Sequence, residues 1–162
     1  MMFILQRHLV YVVYFKNKLY VTLYRTKLCP AFTLEELGHT LLPRAGVVDS
    51  YVIKNAEGKV TDICSMYHLP STVIDHPKHD KVNVSYCYYN VATTVSLPDL
   101  MKDLLIFARN RGCDVLNALD VMDNKEFLDQ LKFGGGDGNL QYYVYNWKCP
   151  GIEPNEVGLV LL

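Results

Sequence analysis

Val47-Val48-Asp49-Ser50-Tyr51-Val52-Ile53-Lys54, then Asn55-Ala56-Glu57-Gly58, then Lys59-Val60-Thr61-Asp62-Ile63-Cys64-Ser65-Met66-Tyr67-His68-Leu69 is the stretch that decides the fold. Two β-branched and aromatic runs flank a four-residue link that ends in glycine, the pattern of an antiparallel hairpin. Upstream, Thr33-Leu34-Glu35-Glu36 is a capping-box sequence, and a short helix is expected to run to about Leu42, before Pro43. Downstream, Asn83–Ala92 reads as a third, aromatic strand. Ser96 then caps a helix with Pro98 near its start. Leu97, Leu100, Met101, Leu104, Leu105 and Ala108 recur at helical spacing, and Gly112 stops it. A short strand at Asp114–Leu119, a helix from Asp123 to about Leu131, and strands at Leu140–Trp147 and Val157–Leu162 complete the expectation. The order β-β-β-α-β-α-β-β points to one mixed α/β layer structure.

The chain has 162 residues, half of them hydrophobic and a fifth charged, which excludes a disordered or fibrous protein. A net charge of −1 provides no global basic field, so no nucleic-acid partner is expected. The balance hides a split. Residues 1–32 carry five basic groups and no acid, whereas residues 33–162 carry eleven basic and seventeen acidic groups. Within the first segment, 9–15 and 19–24 are β-branched and aromatic runs separated by Lys16-Asn17-Lys18, and they read as a second hairpin. Residues 1–24 are therefore expected to be an atypical segment outside the domain at 25–162, packing loosely or over the exposed half-interface. The longest apolar run, Leu9–Phe15, is too short for a membrane span, and Arg7, His8, Lys16 and Lys18 spoil a signal-peptide reading.

Cys29, Cys64, Cys87, Cys113 and Cys149 form an odd, scattered set with no C-x-x-C. Reduced, mostly buried thiols in a cytoplasmic protein are expected, and no metal site. His76-Pro77-Lys78-His79 reads as a solvated loop, because proline breaks any helix that would aim both rings at one ion. Tyr86, Tyr88, Tyr89 and Tyr142, Tyr143, Tyr145 lie on expected strands, where such residues line either a core or a peptide groove. Gly134-Gly135-Gly136-Asp137-Gly138 is neither a P-loop nor a dinucleotide fingerprint; it is a helix cap and turn, or a loop for close backbone approach to a ligand. The ending Val157-Gly158-Leu159-Val160-Leu161-Leu162 is apolar to its last residue. That leaves a truncation, a partner-bound strand, or a deliberately placed carboxylate.

Lys132-Phe133-Gly134-Gly135-Gly136-Asp137-Gly138 resembles the K-F-G-x-G-D-G signature of the eukaryotic N-myristoyltransferases, also called glycylpeptide N-tetradecanoyltransferases. Tyr67-His68-Leu69-Pro70-Ser71-Thr72, Asn117-Ala118-Leu119-Asp120, Asn139-Leu140-Gln141-Tyr142-Tyr143, Tyr145-Asn146-Trp147-Lys148-Cys149-Pro150 and Val157-Gly158-Leu159-Val160-Leu161 are similar to the same family, over roughly residues 25–162. The resemblance implies a GNAT-like mixed twisted sheet flanked by helices. It is to the C-terminal half only, since the family's E-[IV]-N-F-L-C-x-H-K signature is absent. A truncated or alternatively spliced product is one expectation that follows. In the family the first half holds myristoyl-CoA and the oxyanion hole, and the second supplies the groove for peptides with N-terminal glycine. Myristoyl-CoA is then a co-substrate, with no tightly bound cofactor.

Carried over residue by residue, the resemblance gives the carboxylate of Leu162 the role of catalytic base. Ser71, Tyr86 and Asn117 would place polar tips in the peptide groove. Asp137, Gly138 and Leu140 would form a wall facing residues beyond the substrate glycine, and Leu161 would pack beside the terminus. The chain alone is expected to be inactive. Two other readings remain. One is a non-catalytic binding module derived from the enzyme. The other is a lone acyl-CoA enzyme, disfavoured because no R/Q-x-x-G-x-G/A loop opens a helix.

Overall fold

A computed structural model describes residues 2–4, 9–136 and 138–160, with side chains described from residue 16 onward. The anticipated hairpin is present: β2 (Val48–Lys54) and β3 (Val60–His68) pair antiparallel. Its link closes because Gly58 takes φ +77°, while the Lys59 amide donates to Asn55 Oδ1 at 2.9 Å. The sheet extends through β6 (Val84–Cys87), antiparallel to β3, and β7 (Val115–Asn117), parallel to β6. Between β6 and β7 the chain crosses over as α3 (Leu97–Asn110). At the other edge β1 (Met2–Ile4) pairs with β2, so the mixed sheet has the order β1-β2-β3-β6-β7. A separate two-stranded ribbon joins β4 (Ser71–Thr72) to β5 (Lys81–Val82).

Helices cover both faces. On one, α2 (Leu34–Leu41) buries Leu37 and Leu41, and its capping box is formed: the Glu36 amide donates to Thr33 Oγ1 and the Thr33 amide to the Glu36 carboxylate. On the other, Leu100, Met101, Leu104 and Ala108 of α3 pack with Tyr51, Cys64, Met66 and Cys87. Phe127 of the short α4 (Lys125–Leu128) closes that cluster. The expected helix from Asp123 to Leu131 thus contracts to four residues capped by turns.

The expected hairpin at residues 9–24 is a single helix, α1 (Leu9–Leu23), and it is not loosely packed. Leu19 and Leu23, spaced i and i+4, are buried with Leu37 and Leu41 of α2. The Tyr20 hydroxyl donates to the Phe32 carbonyl. The link 16–18 has no glycine for a tight hairpin turn, and tertiary burial of one helical face overrides the local β preference.

The third strand also differs. Its ladder stops at Cys87, and Ser65 Oγ takes over, donating to the Tyr89 carbonyl at 2.7 Å and accepting from the Tyr89 amide at 3.1 Å. Alternation fails there, and the consecutive Tyr88 and Tyr89 both enter the α1–α2 side of the core. Residues 140–147 form no strand among the described residues. Tyr143 and Tyr145 are 88% and 95% exposed, and no neighbouring strand supplies the ladder bonds. Val157 makes one parallel bridge to Leu28 rather than opening a strand, and Leu161 and Leu162 lie outside the described residues.

Asp62, fully buried, fixes the entry to α3. Its carboxylate accepts from the amides of Thr93 at 2.6 Å and Thr94 at 2.7 Å, and from the Thr94 hydroxyl. Burial pushes its carboxyl up, but bonds from Thr61, Thr94 and Thr93 outweigh it and leave it below the usual range. Asp62→Ala is expected to cost about 2–4 kcal/mol in denaturant unfolding, since buried amides lose their acceptor. Because the folded carboxyl is lowered, this contribution is complete above the unfolded value near ~3.9 and is lost as pH falls through the folded one. The gap between wild type and Asp62→Ala therefore narrows below about pH 4.

Candidate functional site

Register places three polar side chains in one row. Tyr67 on β3 lies opposite Tyr86 on β6, and Tyr86 opposite Asn117 on β7. The Tyr67 and Tyr86 rings stack at 5.1 Å with 10° between planes, and Tyr88 meets Tyr67 edge-on at 5.3 Å. Tyr89 lies 4.6 Å from Tyr88, and Phe32 closes on Tyr89 at a right angle. Alternation along β6 and the bulge after it generate the cluster: Tyr86 and Tyr88 share a face, and the Ser65 substitution brings Tyr89 round to join them.

Burial sets the chemistry of these phenols. It pushes Tyr89 up to about 12, and Tyr88 higher still. Tyr67 is raised by burial and by the neighbouring Tyr86 and Tyr142. All three stay neutral hydroxyls at physiological pH, able to donate and accept hydrogen bonds but not to act as bases. Tyr86 is half-buried and Asn117 exposed, so the row passes from core to surface at the β6–β7 edge.

The C-terminal segment runs into this cluster. The Lys27 and Leu28 amides donate to the Glu156 carbonyl, and the Gly158 amide donates to the Leu28 carbonyl at 2.7 Å. The Met122 amide donates to the Val157 carbonyl at 3.1 Å. The Tyr142 hydroxyl donates to the Leu159 carbonyl at 2.6 Å, and the Val160 amide to the Tyr89 hydroxyl at 3.3 Å. Val157, Gly158 and Val160 are buried. A methyl group at Gly158 would lie 2.5 Å from Thr26 Oγ1 and 2.9 Å from Leu23 Cδ2, so the approach to the end of α1 admits only hydrogen there.

The residues expected from sequence are unevenly assembled. Tyr86 and Asn117 are register partners. Ser71 is exposed on β4, opposite Val82, and Gly138 and Leu140 are exposed in the loop after α4. Asp137, Leu161 and Leu162 lie outside the described residues. No glycine from 134 to 136 takes a positive φ, and Lys132, at φ +58°, makes the left-handed turn assigned to Gly134 as a cap. Tyr142, which the sequence places among tyrosines lining a core or a peptide groove, meets the cluster without a strand, through the Leu159 carbonyl. Tyr67 is legible only as part of the family-like motif Tyr67–Thr72, and its signal is its place in a strand that pairs with the tyrosine-rich one. A cavity of about 300 Å³ lies elsewhere, lined by Arg25, Asn90, Asp123, Asn124 and Glu126 among others, and shares none of the expected site residues. Among the described residues, no helix is long and apolar enough to cross a membrane, and no three His, Cys, Asp or Glu are grouped to hold a metal.

Residues 10–160 match the family model of the myristoyl-CoA:protein N-myristoyltransferase C-terminal domain. The match takes in nearly all of α1. The chain is similar to glycylpeptide N-tetradecanoyltransferase 2 of Bos taurus, 54% identical over 83% of this chain and 27% of the relative. It is 49% identical to the Drosophila melanogaster glycylpeptide N-tetradecanoyltransferase, over 85% of this chain and 29% of that protein. It thus spans less than a third of these relatives' length. A Saccharomyces cerevisiae N-myristoyltransferase structure with bound myristoyl-CoA superposes with a TM-score of 0.77 at 30% identity, covering 85% of this chain and 37% of the other. A Trypanosoma brucei acetyltransferase superposes at 0.61 with 14% identity, covering 89% of this chain and 99% of that one, and it shares the fold.

Gly158→Ala is expected to destabilise the chain by about 1–3 kcal/mol through overpacking. Adding Thr26→Ala removes the Oγ1 clash and should return part of that loss in a denaturant double-mutant cycle.

Proposed function

Since the chain belongs to the N-myristoyltransferase family, as its C-terminal domain, we propose that it supplies the peptide-binding half of a protein N-myristoyltransferase. In this reading the carboxylate of Leu162 takes the proton from the substrate's N-terminal glycine ammonium. The observation that carries it is the anchoring of Val157–Val160, a buried segment that reaches the tyrosine cluster through Tyr89 and Tyr142.

The chemistry needs such a base. An α-ammonium of pKa roughly 7.7–8 is not nucleophilic until deprotonated, and a free α-carboxyl near ~3.5 is a weak base in water. Burial raises a carboxylate's proton affinity and makes it a better base. The freed amine attacks the thioester carbonyl of myristoyl-CoA, and the CoA thiolate leaves. Tyr86 and Asn117 orient the peptide backbone, and Ser71 adds a hydroxyl at the groove's edge. Asp137 favours polar or basic side chains beyond the glycine. Gly138 and Leu140 shape the wall, and Leu161 packs beside the terminus. The rest of a family enzyme supplies the myristoyl-CoA site and the oxyanion donors. The setting is the cytoplasm, in keeping with five cysteines none of which forms a disulfide.

The isolated chain should show no measurable acyl transfer, because oxyanion donors alone are worth on the order of 10²–10³ in rate. Robust transfer by the purified chain would refute the division of labour. To test the base, residues 10–162 are joined to the N-terminal part of a family enzyme, and two residues are then added after Leu162. Each residue moves the carboxylate by about 3.3 Å in extended chain, beyond proton-transfer reach. Turnover should fall by roughly 10²–10⁴-fold, with a much smaller change in peptide affinity. Full turnover in the extended chimera would sink the assignment.

A further inference from the structure

The sheet face opposite the tyrosine row carries a second polar system. Asp49 on β2, His68 on β3, Ser85 on β6 and Cys113 just before β7 form one hydrogen-bonded chain. Asp49 Oδ2 lies 3.0 Å from His68 Nε2, His68 Nδ1 lies 2.8 Å from Ser85 Oγ, and Ser85 Oγ lies 2.8 Å from Cys113 Sγ. Arg111 donates to the other Asp49 oxygen at 3.1 Å. Ser85 is fully buried, Asp49 and His68 are largely so, and Cys113 is the half-buried end of the chain. The Cys113 sulfur is 4.0 Å from the imidazole, so the serine hydroxyl is the shorter path between them.

Local structure holds the end group in place. The Gly112 amide donates to the Arg109 carbonyl and the Cys113 amide to the Ala108 carbonyl, with Gly112 at φ +76°. This is a Schellman cap, and it turns Arg111 and Cys113 back toward β2 and β6.

Donor and acceptor accounting fixes the direction of the chain. A carboxylate only accepts, so His68 Nε2 carries a hydrogen to Asp49. In the neutral ring Nδ1 is then an acceptor, and Ser85 donates to it. Having spent its only hydrogen, Ser85 Oγ accepts from the Cys113 thiol. A thiol is thus connected through one hydroxyl to an imidazole held by a carboxylate, the arrangement that activates a nucleophile.

We propose that Cys113 is a reactive thiol site, modified by thiol–disulfide exchange with small soluble disulfides. The Cys113 proton passes to Ser85 Oγ as the Ser85 proton passes to His68 Nδ1, leaving a thiolate and an imidazolium held by Asp49. The thiolate attacks one sulfur of the disulfide R–S–S–R, and the S–S bond breaks. The leaving R–S⁻ takes the electron pair and then a proton, restoring neutral His68. The products are the Cys113 mixed disulfide and R–SH, so Cys113 is oxidised and one sulfur of the reagent is reduced. Cys64 and Cys87 cannot compete: both are buried, and burial pushes their thiols up, Cys87 to about 12.

The test treats the purified chain with excess oxidised glutathione near neutral pH and follows each cysteine by peptide mass spectrometry. Cys149, exposed and outside the relay, is the internal reference. Cys113 should react about tenfold faster than Cys149 despite its lower exposure, a modest share of what a positioned base supplies. His68→Asn and Ser85→Ala should bring Cys113 down to the Cys149 rate and leave Cys149 unchanged. New labelling of Cys64 and Cys87 would reveal an unfolded variant, and the wild-type comparison decides the matter without it. A wild-type Cys113 no faster than Cys149, or a His68→Asn chain in which Cys113 keeps its advantage, overturns the proposal.

Discussion

The Gly158 amide donates to the Leu28 carbonyl at 2.7 Å, in a space where a methyl group would strike Thr26 and Leu23. Much of the architecture depends on that close approach. It carries the C-terminal segment across the end of α1, where Val157 joins Leu19 and Leu23 in one apolar cluster. It also sets the register in which Val157 meets Met122 and Val160 meets Tyr89. A bulkier residue would force either the helix end or the last residues to move, and the tyrosine cluster would lose its neighbour.

The sheet separates two chemistries by alternation alone. Tyr67, Tyr86 and Asn117 occupy one row; His68, Ser85 and Leu116, one residue along on the same three strands, occupy the row behind it. The first row is aromatic and opens at the sheet edge. The second carries the polar His68–Ser85 pair beside the apolar Leu116, and its hydrogen-bonded chain ends at the half-buried Cys113. A register slip of one residue would exchange the two, so the pairing that builds the core also decides where each system points.

Much of this was legible in the sequence where local signals and tertiary demands agree. The Thr33–Glu36 capping box, the Asn55–Gly58 link, the Ser96 cap and the Gly112 stop each act within a few residues, and each is formed. The mixed α/β class followed from such elements, and the family from the resemblance carried by the glycine-rich signature and its flanking motifs. Residues 9–23 misled because β-branched and aromatic side chains favour strands, whereas burial of Leu19 and Leu23 against α2 rewards a helix. The run at 140–147 misled because alternation describes a strand without supplying a neighbour for it. The Asp49–His68–Ser85–Cys113 chain was invisible, since its members come from separate elements and no spacing links them.

The proposed function has this chain recognise the charged N-terminus of a glycine peptide beside its own C-terminal segment. Calorimetric titration of the chain with a synthetic peptide bearing a free N-terminal glycine, against the same peptide N-acetylated, tests it most directly. Charge-assisted hydrogen bonds contribute about 1.5–3 kcal/mol, so acetylation should weaken binding by about tenfold or more. Equal affinity for the two peptides would contradict the account.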